Sequence, residues 1–165
     1  MPKISTELVK ELNKQINSEF YSAYLYLSMA SYLESRGLKG FASWMRAQAK
    51  EELEHAMKLF DYVLERGGEV VLDSIQKPPS EWETVTEMVR HALRHEEAVT
   101  ESINKLFQLA REKRDPATEV ILQWFVSEQV EEEALFSDLL FKVEAAGEDP
   151  RSLIMLDQAL AKRKE

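Results

Sequence analysis

The chain has 165 residues, 44% of them hydrophobic and 31% charged, which suits one domain with a substantial core. Its net charge of −9 argues against nucleic acid as a partner, because that binding relies on clustered lysine and arginine. Cysteine is absent, which excludes disulfides, thiolate metal sites and iron–sulfur clusters. No run of about twenty apolar residues and no N-terminal signal pattern occurs, so we expect no membrane segment and a cytoplasmic protein.

Hydrophobic periodicity predicts helices along nearly the whole chain. The five glycines and five prolines lie at the ends of the periodic stretches, which favours a few long helices. We predict one all-α domain over residues 1–165, with helices at about residues 5–36, 39–66, 81–113, 116–146 and 150–162.

The connection between the second and third predicted helices is the longest in the chain. It runs from Gly67 to about Ser80, which is too long for a tight turn and long enough to follow the bundle. Such a crossover would make the second and third helices parallel, a known variant of the four-helix bundle. The segment from Ser80 to Glu83 fits a capping box with Ser80 as N-cap, which places the start of the third helix at Glu81.

The last two helices each begin at an Asp-Pro pair, Asp115-Pro116 and Asp149-Pro150. Aspartate is a favourable N-cap and proline is favourable in the first turn. A fifth helix of about twelve residues is marginal on its own in water, so we expect it to dock on the bundle or on another subunit. The predicted fold is a four-helix bundle with a long crossover and a short C-terminal helix.

Each long helix carries an acidic residue near the middle of its buried seam. The seam residues recur every three or four positions, as in helices that pack in a bundle. They are Leu8, Leu12, Gln15, Glu19, Ser22, Tyr26, Met29 and Leu33; then Phe41, Met45, Gln48, Glu52, His55, Leu59 and Tyr62; then Val85, Val89, Ala92, Glu96, Val99, Ile103 and Leu106; then Leu122, Phe125, Gln129, Glu132, Phe136, Leu139 and Val143. If the helices lie side by side, the four glutamates meet at one level of the core.

Buried carboxylates are unfavourable unless they are paired, and no lysine or arginine lies on these seams. Glu19, Glu52, Glu96 and Glu132 each carry one negative charge, and two divalent ions would neutralise all four. His55 adds a nitrogen ligand three residues after Glu52, on the same helix face. Carboxylates with one imidazole suit iron, manganese or zinc. The seams therefore predict a two-metal site, with a protonated or water-filled polar layer as the alternative.

Tyr26 lies seven residues after Glu19 on the same stripe, so its phenol can reach the predicted site. It is either a packed core aromatic with a hydrogen-bonded hydroxyl or a residue with a redox or supporting role at the metals. The spacing does not choose between these two roles.

Three segments and their surroundings resemble the bacterial and archaeal non-haem ferritins over essentially the whole chain. The segments are Asn17-Ser18-Glu19-Phe20-Tyr21-Ser22-Ala23-Tyr24-Leu25-Tyr26, Glu51-Glu52-Leu53-Glu54-His55-Ala56 and Trp124-Phe125-Val126-Ser127-Glu128-Gln129-Val130-Glu131-Glu132-Glu133. The resemblance implies a ferritin-like bundle, a ferroxidase centre in each subunit, and iron storage in a hollow shell of 24 subunits.

The resemblance also implies a role for each site residue. The first iron would be held by Glu19, Glu52 and His55. Glu52 would bridge to a second iron, which is completed by Glu96 and Glu132, with Gln129 nearby and Tyr26 beside the centre. A third, looser iron site would use Glu51, Glu128 and Glu131, with Glu132 shared.

Two departures from a related family predict that no haem is bound. Bacterioferritins carry a second Glu-x-x-His in the fourth helix, where this chain reads Gln129-Val130-Glu131-Glu132, and a haem-ligating methionine where this chain has Leu53. Rubrerythrins need a cysteine-bound iron module that this chain lacks.

The predicted function is oxidation of Fe²⁺ with O₂ or H₂O₂ as acceptor, followed by storage of Fe³⁺ as a mineral in an oligomeric cage. One alternative is a di-metal oxidase or peroxidase that acts on another substrate without storage. The other is a non-enzymatic helical bundle, such as a cytokine-like protein, which the polar seam and the missing signal peptide and disulfides disfavour.

Overall fold

The structure, a computed structural model, describes residues 2–163, so Met1, Lys164 and Glu165 of the predicted domain lie outside the described residues. Between those limits the chain forms five helices and no strand, which confirms the all-α prediction. The helices are α1 (Thr6–Ser35), α2 (Lys39–Glu65), α3 (Val85–Glu112), α4 (Pro116–Ala146) and α5 (Pro150–Leu160). None of the described helices has both the length and the low polarity needed to cross a membrane.

Side-chain caps fix where three of these helices begin. Ser5 Oγ accepts a hydrogen bond from the third backbone N–H after it at 3.2 Å, which caps α1. Asp115 and Asp149 do the same for α4 and α5, at 3.1 and 3.0 Å. Gly37 lies in the turn between α1 and α2 and has a φ of 77°, a conformation that glycine adopts without strain.

The third helix starts later than the sequence predicts. α3 begins at Val85, and its N-cap is Thr84, whose hydroxyl accepts from the third backbone N–H after it at 3.0 Å. The predicted capping box at Ser80 is therefore wrong. The intervening residues continue the crossover because Trp82 packs its ring edge-on against Tyr32 of α1, with ring centroids 5.4 Å apart.

The crossover runs along α1 for much of its length. Asn13, near the start of α1, donates to the Glu69 carbonyl at 3.0 Å, and Ser28, near its end, donates to the Pro79 carbonyl. The crossover thus returns the chain to the end of the bundle where α2 began. This path makes α2 and α3 parallel, as the length of the connection predicts.

The core consists of two apolar clusters with a polar layer between them. One cluster includes Leu25, Met29, Leu33, Met45 and Phe136. The other includes Leu8, Leu12, Leu59, Ile103 and Phe125. Every predicted seam residue is buried except Tyr62, which is half-buried and whose hydroxyl lies 2.8 Å from that of Thr118.

The short helix α5 docks across the start of α2. The backbone N–H of Phe41 donates to Asp157 Oδ1 at 2.7 Å. Gly40 lies directly against the same residue, because a Cβ at Gly40 would fall 2.0 Å from the Asp157 carbonyl oxygen. Only glycine fits this contact, so the close approach of α5 to α2 requires glycine at this position.

We expect Gly40→Ala to displace α5, although alanine is the better helix former. The new methyl group meets backbone rather than a flexible side chain, so α5 must move away. Limited proteolysis should then cleave near the C-terminus faster than in wild type, and the melting temperature should fall. Ser43→Ala, at an exposed position of α2, is the control and should leave both properties near wild type. A Gly40→Ala protein that melts higher, with its C-terminus equally protected, would contradict this contact.

Candidate metal centre

Each of the four long helices places one glutamate at the same level of the core. Glu19 comes from α1, Glu52 from α2, Glu96 from α3 and Glu132 from α4. Their exposed fractions are only 1%, 1%, 1% and 4%. Among the described ion pairs, the only partner of any of the four is His55. The layer between the apolar clusters is therefore acidic, with no lysine or arginine paired to it in residues 2–163.

These side chains form two groups that have Glu52 in common. One group is Glu19, Glu52 and His55, and the other is Glu52, Glu96 and Glu132. Within each group, one ligand atom per residue lies within 4.8 Å of the others. Such spacing allows one ion to contact all three side chains of a group, so the geometry fits two neighbouring ions that share Glu52.

His55 lies at the edge of the acidic layer. Its Nδ1 is 3.3 Å from Glu52 Oε2, and its Nε2 is 3.7 Å from Glu128 Oε2. The ring of Trp124 packs edge-on against the imidazole, with centroids 5.4 Å apart. Trp124 thus covers the imidazole of His55. Nδ1 of the imidazole faces Glu52 in the buried layer, and Nε2 faces Glu128 in the wall of a pocket.

Two buried glutamine amides orient the acidic layer, and the sequence interpretation gave them no role. Gln15 donates to Glu19 Oε1 at 3.1 Å. Gln48 donates to Glu52 Oε1 at 3.3 Å and also to Glu132 Oε2. The signal that could have revealed them is their position, since each lies on a seam one turn before a glutamate of the same helix.

Glu96 receives hydrogen bonds from two further residues of the predicted site. The Tyr26 hydroxyl donates to Glu96 Oε1. The Gln129 amide nitrogen donates to Glu96 Oε2 at 3.1 Å and to its backbone carbonyl at 3.2 Å. Both residues therefore orient the Glu96 carboxylate in this structure. Tyr26 is also a packed aromatic residue of the core, so it combines the two roles that the sequence left open.

Burial and mutual repulsion make three of the carboxylates hard to ionise. Burial, then Glu96 and Glu19, raise the pKa of Glu52. Burial also raises the pKa of Glu96 to about 7 and that of Glu132 to about 8. The pKa of Tyr26 is raised well above its usual value, first by burial and then by the neighbouring Glu96. The negative charge at this level is thus unfavourable without a cation.

One carboxylate oxygen in the layer lacks a hydrogen-bond partner within residues 2–163. Glu19 Oε2 is buried, and no hydrogen bond reaches it from the part of the chain that the structure describes. A buried carboxylate oxygen without a partner is costly, and coordination to a metal ion would satisfy it. The donor set of oxygens and one imidazole nitrogen suits Fe²⁺ and rules out metals that require thiolates.

The residues predicted for a third iron lie around one acidic pocket beside this layer. The pocket has a volume of about 590 Å³, and His55 and Glu132 are part of its wall. Glu51 and Glu128 are half-buried in the pocket wall, and Glu131 is exposed. The pocket therefore connects the buried layer with the surface of the bundle.

We expect the metal-free protein to become less stable as the pH rises from 7 to 8.5. Glu132 holds its proton up to about pH 8 in the folded chain, whereas a glutamate in the unfolded chain loses it near 4.5. The folded state therefore binds more protons in this window, so raising the pH favours unfolding. His91 and His95, whose pKa values burial lowers, act below this window and in the opposite direction.

The measurement is the melting temperature of chelator-treated protein at pH 7 and 8.5, with Glu132→Gln as the matched variant. The variant should show a smaller pH dependence than wild type because it removes one titrating group, while Glu52 and Glu96, whose pKa values are also raised, remain. Identical slopes for the variant and the wild type would show that Glu132 titrates like an ordinary surface carboxylate.

Comparison with known proteins places these observations in a family. Residues 9–146 match the family model described as the ferritin-like domain. A probable bacterial non-haem ferritin-like protein of Haemophilus influenzae is 39% identical, over 95% of each chain. A bacterial non-haem ferritin of Bacteroides fragilis is also 39% identical, over 97% of this chain and 99% of the relative.

Solved structures agree with the sequence relatives. An open-pore ferritin of the hyperthermophilic archaeon Archaeoglobus fulgidus matches 98% of this chain and 100% of its own, with 52% identity and a TM-score of 0.96. A closed form of that protein, engineered by site-directed mutagenesis, matches with the same identity and TM-score over 98% of this chain and 99% of its own. The helical bundle, the match over nearly the whole chain and the acidic layer lead to one conclusion: the chain belongs to the non-haem ferritins of the ferritin-like family.

Proposed function

We propose that this protein oxidises Fe²⁺ at the acidic layer and stores Fe³⁺ as a mineral inside an oligomeric cage. The observation that supports this most strongly is the pair of three-residue groups that share Glu52 in an otherwise apolar core. Iron is the substrate of this reaction as well as the ion that satisfies the buried carboxylates.

The chemistry requires two ions because O₂ accepts electrons most readily in pairs. Two Fe²⁺ ions each give up one electron, and O₂ takes the pair together with two protons to form H₂O₂. In the proposed assignment, Glu19, Glu52 and His55 hold one ion, and Glu52, Glu96 and Glu132 hold the other. Gln129 and Tyr26 keep Glu96 oriented through the hydrogen bonds described above. If H₂O₂ is the acceptor, the same two electrons reduce it to water.

The acidic pocket is the proposed route by which iron moves between the centre and the interior of the cage. Glu51, Glu128 and Glu131 offer oxygen ligands there, and Glu132 belongs to both the pocket and the centre. Ligands at a partly exposed pocket hold an ion less tightly than a closed site does. A third, looser iron site at this place would let the product leave the centre.

Assembly into a cage is supported by exposed apolar side chains along one side of the bundle. Tyr24 and Leu27 of α1 and Val71 and Leu72 of the crossover are 49–62% exposed. Large apolar side chains with this degree of exposure are candidates for a subunit contact. We propose a shell of 24 subunits, as the family resemblance implies.

The main rival is a di-metal oxidase that acts on another substrate and stores no iron. Gel filtration with iron staining, after Fe²⁺ is added in air, separates the two functions. The storage function requires a large particle with an iron core. A monomer or dimer without such a core would leave only the rival.

We expect Glu52→Gln to slow Fe²⁺ oxidation by at least roughly tenfold, because changes even beside metal ligands commonly have effects of that size. His55→Ala should act in the same direction, since it removes the only nitrogen ligand of the described groups. Oxidation can be followed by absorbance of the ferric product after mixing with aerated buffer. Glu65→Gln is the control, because it makes the same chemical change at an exposed position of α2. Equal rates for Glu52→Gln and Glu65→Gln would defeat the site assignment.

Tyr26→Phe should slow oxidation by roughly tenfold near pH 6.5, the usual effect of losing a hydrogen bond to a charged group, and less at pH 8. The lost hydroxyl is a donor that lowers the pKa of Glu96, so without it Glu96 stays protonated to higher pH. Tyr32→Phe is a matched control, since the Tyr32 hydroxyl is buried and has no hydrogen-bond partner in residues 2–163. The pH profile of the rate is the readout. A Tyr26→Phe profile that overlays the profiles of wild type and Tyr32→Phe would reduce Tyr26 to a packing residue.

A further inference from the structure

Arg163, which follows α5, inserts its guanidinium into the wall of the acidic pocket. Nη2 donates to Gln48 Oε1 at 3.1 Å and to Glu51 Oε1 at 3.2 Å. Nη1 donates to the backbone carbonyl of Trp44 at 3.4 Å, and the guanidinium lies 4.5 Å above the ring of that residue. Only 18% of the arginine side chain is exposed. These contacts hold the Arg163 side chain in a defined position.

The fold holds Arg163 at this place through α5. Asp157, six residues earlier, is bound to the backbone of Phe41 and packed against Gly40 at the start of α2. The arginine then meets α2 again between Trp44 and Glu51, about two turns further along the helix. The C-terminal segment is thus fastened to α2 at two points, and the second point is the acidic pocket.

The arginine occupies a position where a metal ion would otherwise gain a ligand. Glu51 is one of the carboxylates that face this pocket, together with Glu128 and Glu131. A guanidinium cannot lose its proton at any relevant pH, so its charge stays in the pocket unless the side chain moves. A divalent ion that approaches Glu51 is repelled by this charge and finds one carboxylate oxygen already bonded.

We propose that Arg163 sets the cation affinity of the acidic pocket by competing with metal for Glu51. This inference rests on the proposed function, because it assigns a determinant of affinity to the pocket through which iron would pass. The arginine keeps the pocket weaker than its carboxylates alone would make it, so iron is not trapped beside the centre.

The contact with Gln48 extends this competition to the buried layer. The amide of Gln48 accepts from Arg163 through its oxygen and donates to Glu52 and Glu132 through its nitrogen. Occupation of Glu51 by metal would move the arginine and take away the donor to a fully buried amide oxygen. Filling the pocket and the hydrogen bonding of the centre are coupled through this single glutamine.

The test is Co²⁺ binding to the assembled, metal-free protein, followed by calorimetry and by the visible absorption of bound Co²⁺. Arg163→Met should bind the ion in the pocket more tightly than wild type by roughly two- to fivefold, the range expected for losing a partly exposed ion pair. Arg163→Lys should lie between them, because it keeps the charge and loses the two-point contact. Arg151→Met, at an exposed position of α5, also removes one arginine charge from the C-terminal part of the chain and should bind like wild type. The difference should shrink at high salt.

The inference is overturned if Arg163→Met binds Co²⁺ no more tightly than wild type, or if Arg151→Met gains as much. The second result would mean that the change in Co²⁺ affinity follows from the net charge of the protein and not from the position of Arg163. If wild-type protein oxidises Fe²⁺ while Arg163→Met and Arg151→Met bind Co²⁺ equally well, this inference is wrong and the proposed function is unaffected. Wild-type protein that binds no pair of Co²⁺ ions would end both.

Discussion

Four carboxylates at one level of an otherwise apolar core dominate the energetics of this fold. Burial and mutual repulsion raise the pKa values of Glu52, Glu96 and Glu132, so the metal-free core holds protons that a surface glutamate would lose. The surrounding residues lower this cost in part, since buried amides and the Tyr26 phenol donate to the carboxylates. What they leave unsatisfied is a negative charge and one bare oxygen on Glu19, which a metal ion can satisfy. The same residues therefore destabilise the metal-free fold and provide the ligands for metal.

The apolar clusters on both sides of this layer supply the stability that the layer lacks. They pack the long helices closely enough to hold the glutamates in register from four separate elements. The crossover along α1 makes this arrangement possible, because it brings α3 in parallel to α2. The acidic pocket then gives the buried layer an opening to the surface, and Arg163, which follows α5, forms part of the pocket wall.

Much of the fold and of the candidate site could be predicted from hydrophobic spacing. A seam that repeats every three or four residues located Glu19, Glu52, Glu96 and Glu132, because an acidic residue in such a seam is unfavourable unless a cation, a proton or water satisfies it. The start of α3 could not be predicted, because both Ser80 and Thr84 precede a glutamate by three residues and only the packing of Trp82 decides between them.

The role of Arg163 could not be predicted from sequence either. Its partners Gln48 and Glu51 lie 115 and 112 residues away, and their proximity depends on how α5 docks. No local pattern encodes that docking. It follows from the contact between Gly40 and Asp157, where the missing Cβ matters only after the two segments have met.

If two ions share Glu52, anomalous diffraction from crystals soaked anaerobically in Fe²⁺ should show both of them. Two strong peaks roughly 3.5–4 Å apart are expected, the usual spacing of paired catalytic metals. One peak should lie among Glu19, Glu52 and His55, and the other among Glu52, Glu96 and Glu132. Iron density at the surface alone, or a single ion at this level with Glu52 turned away from it, would rule out a shared Glu52.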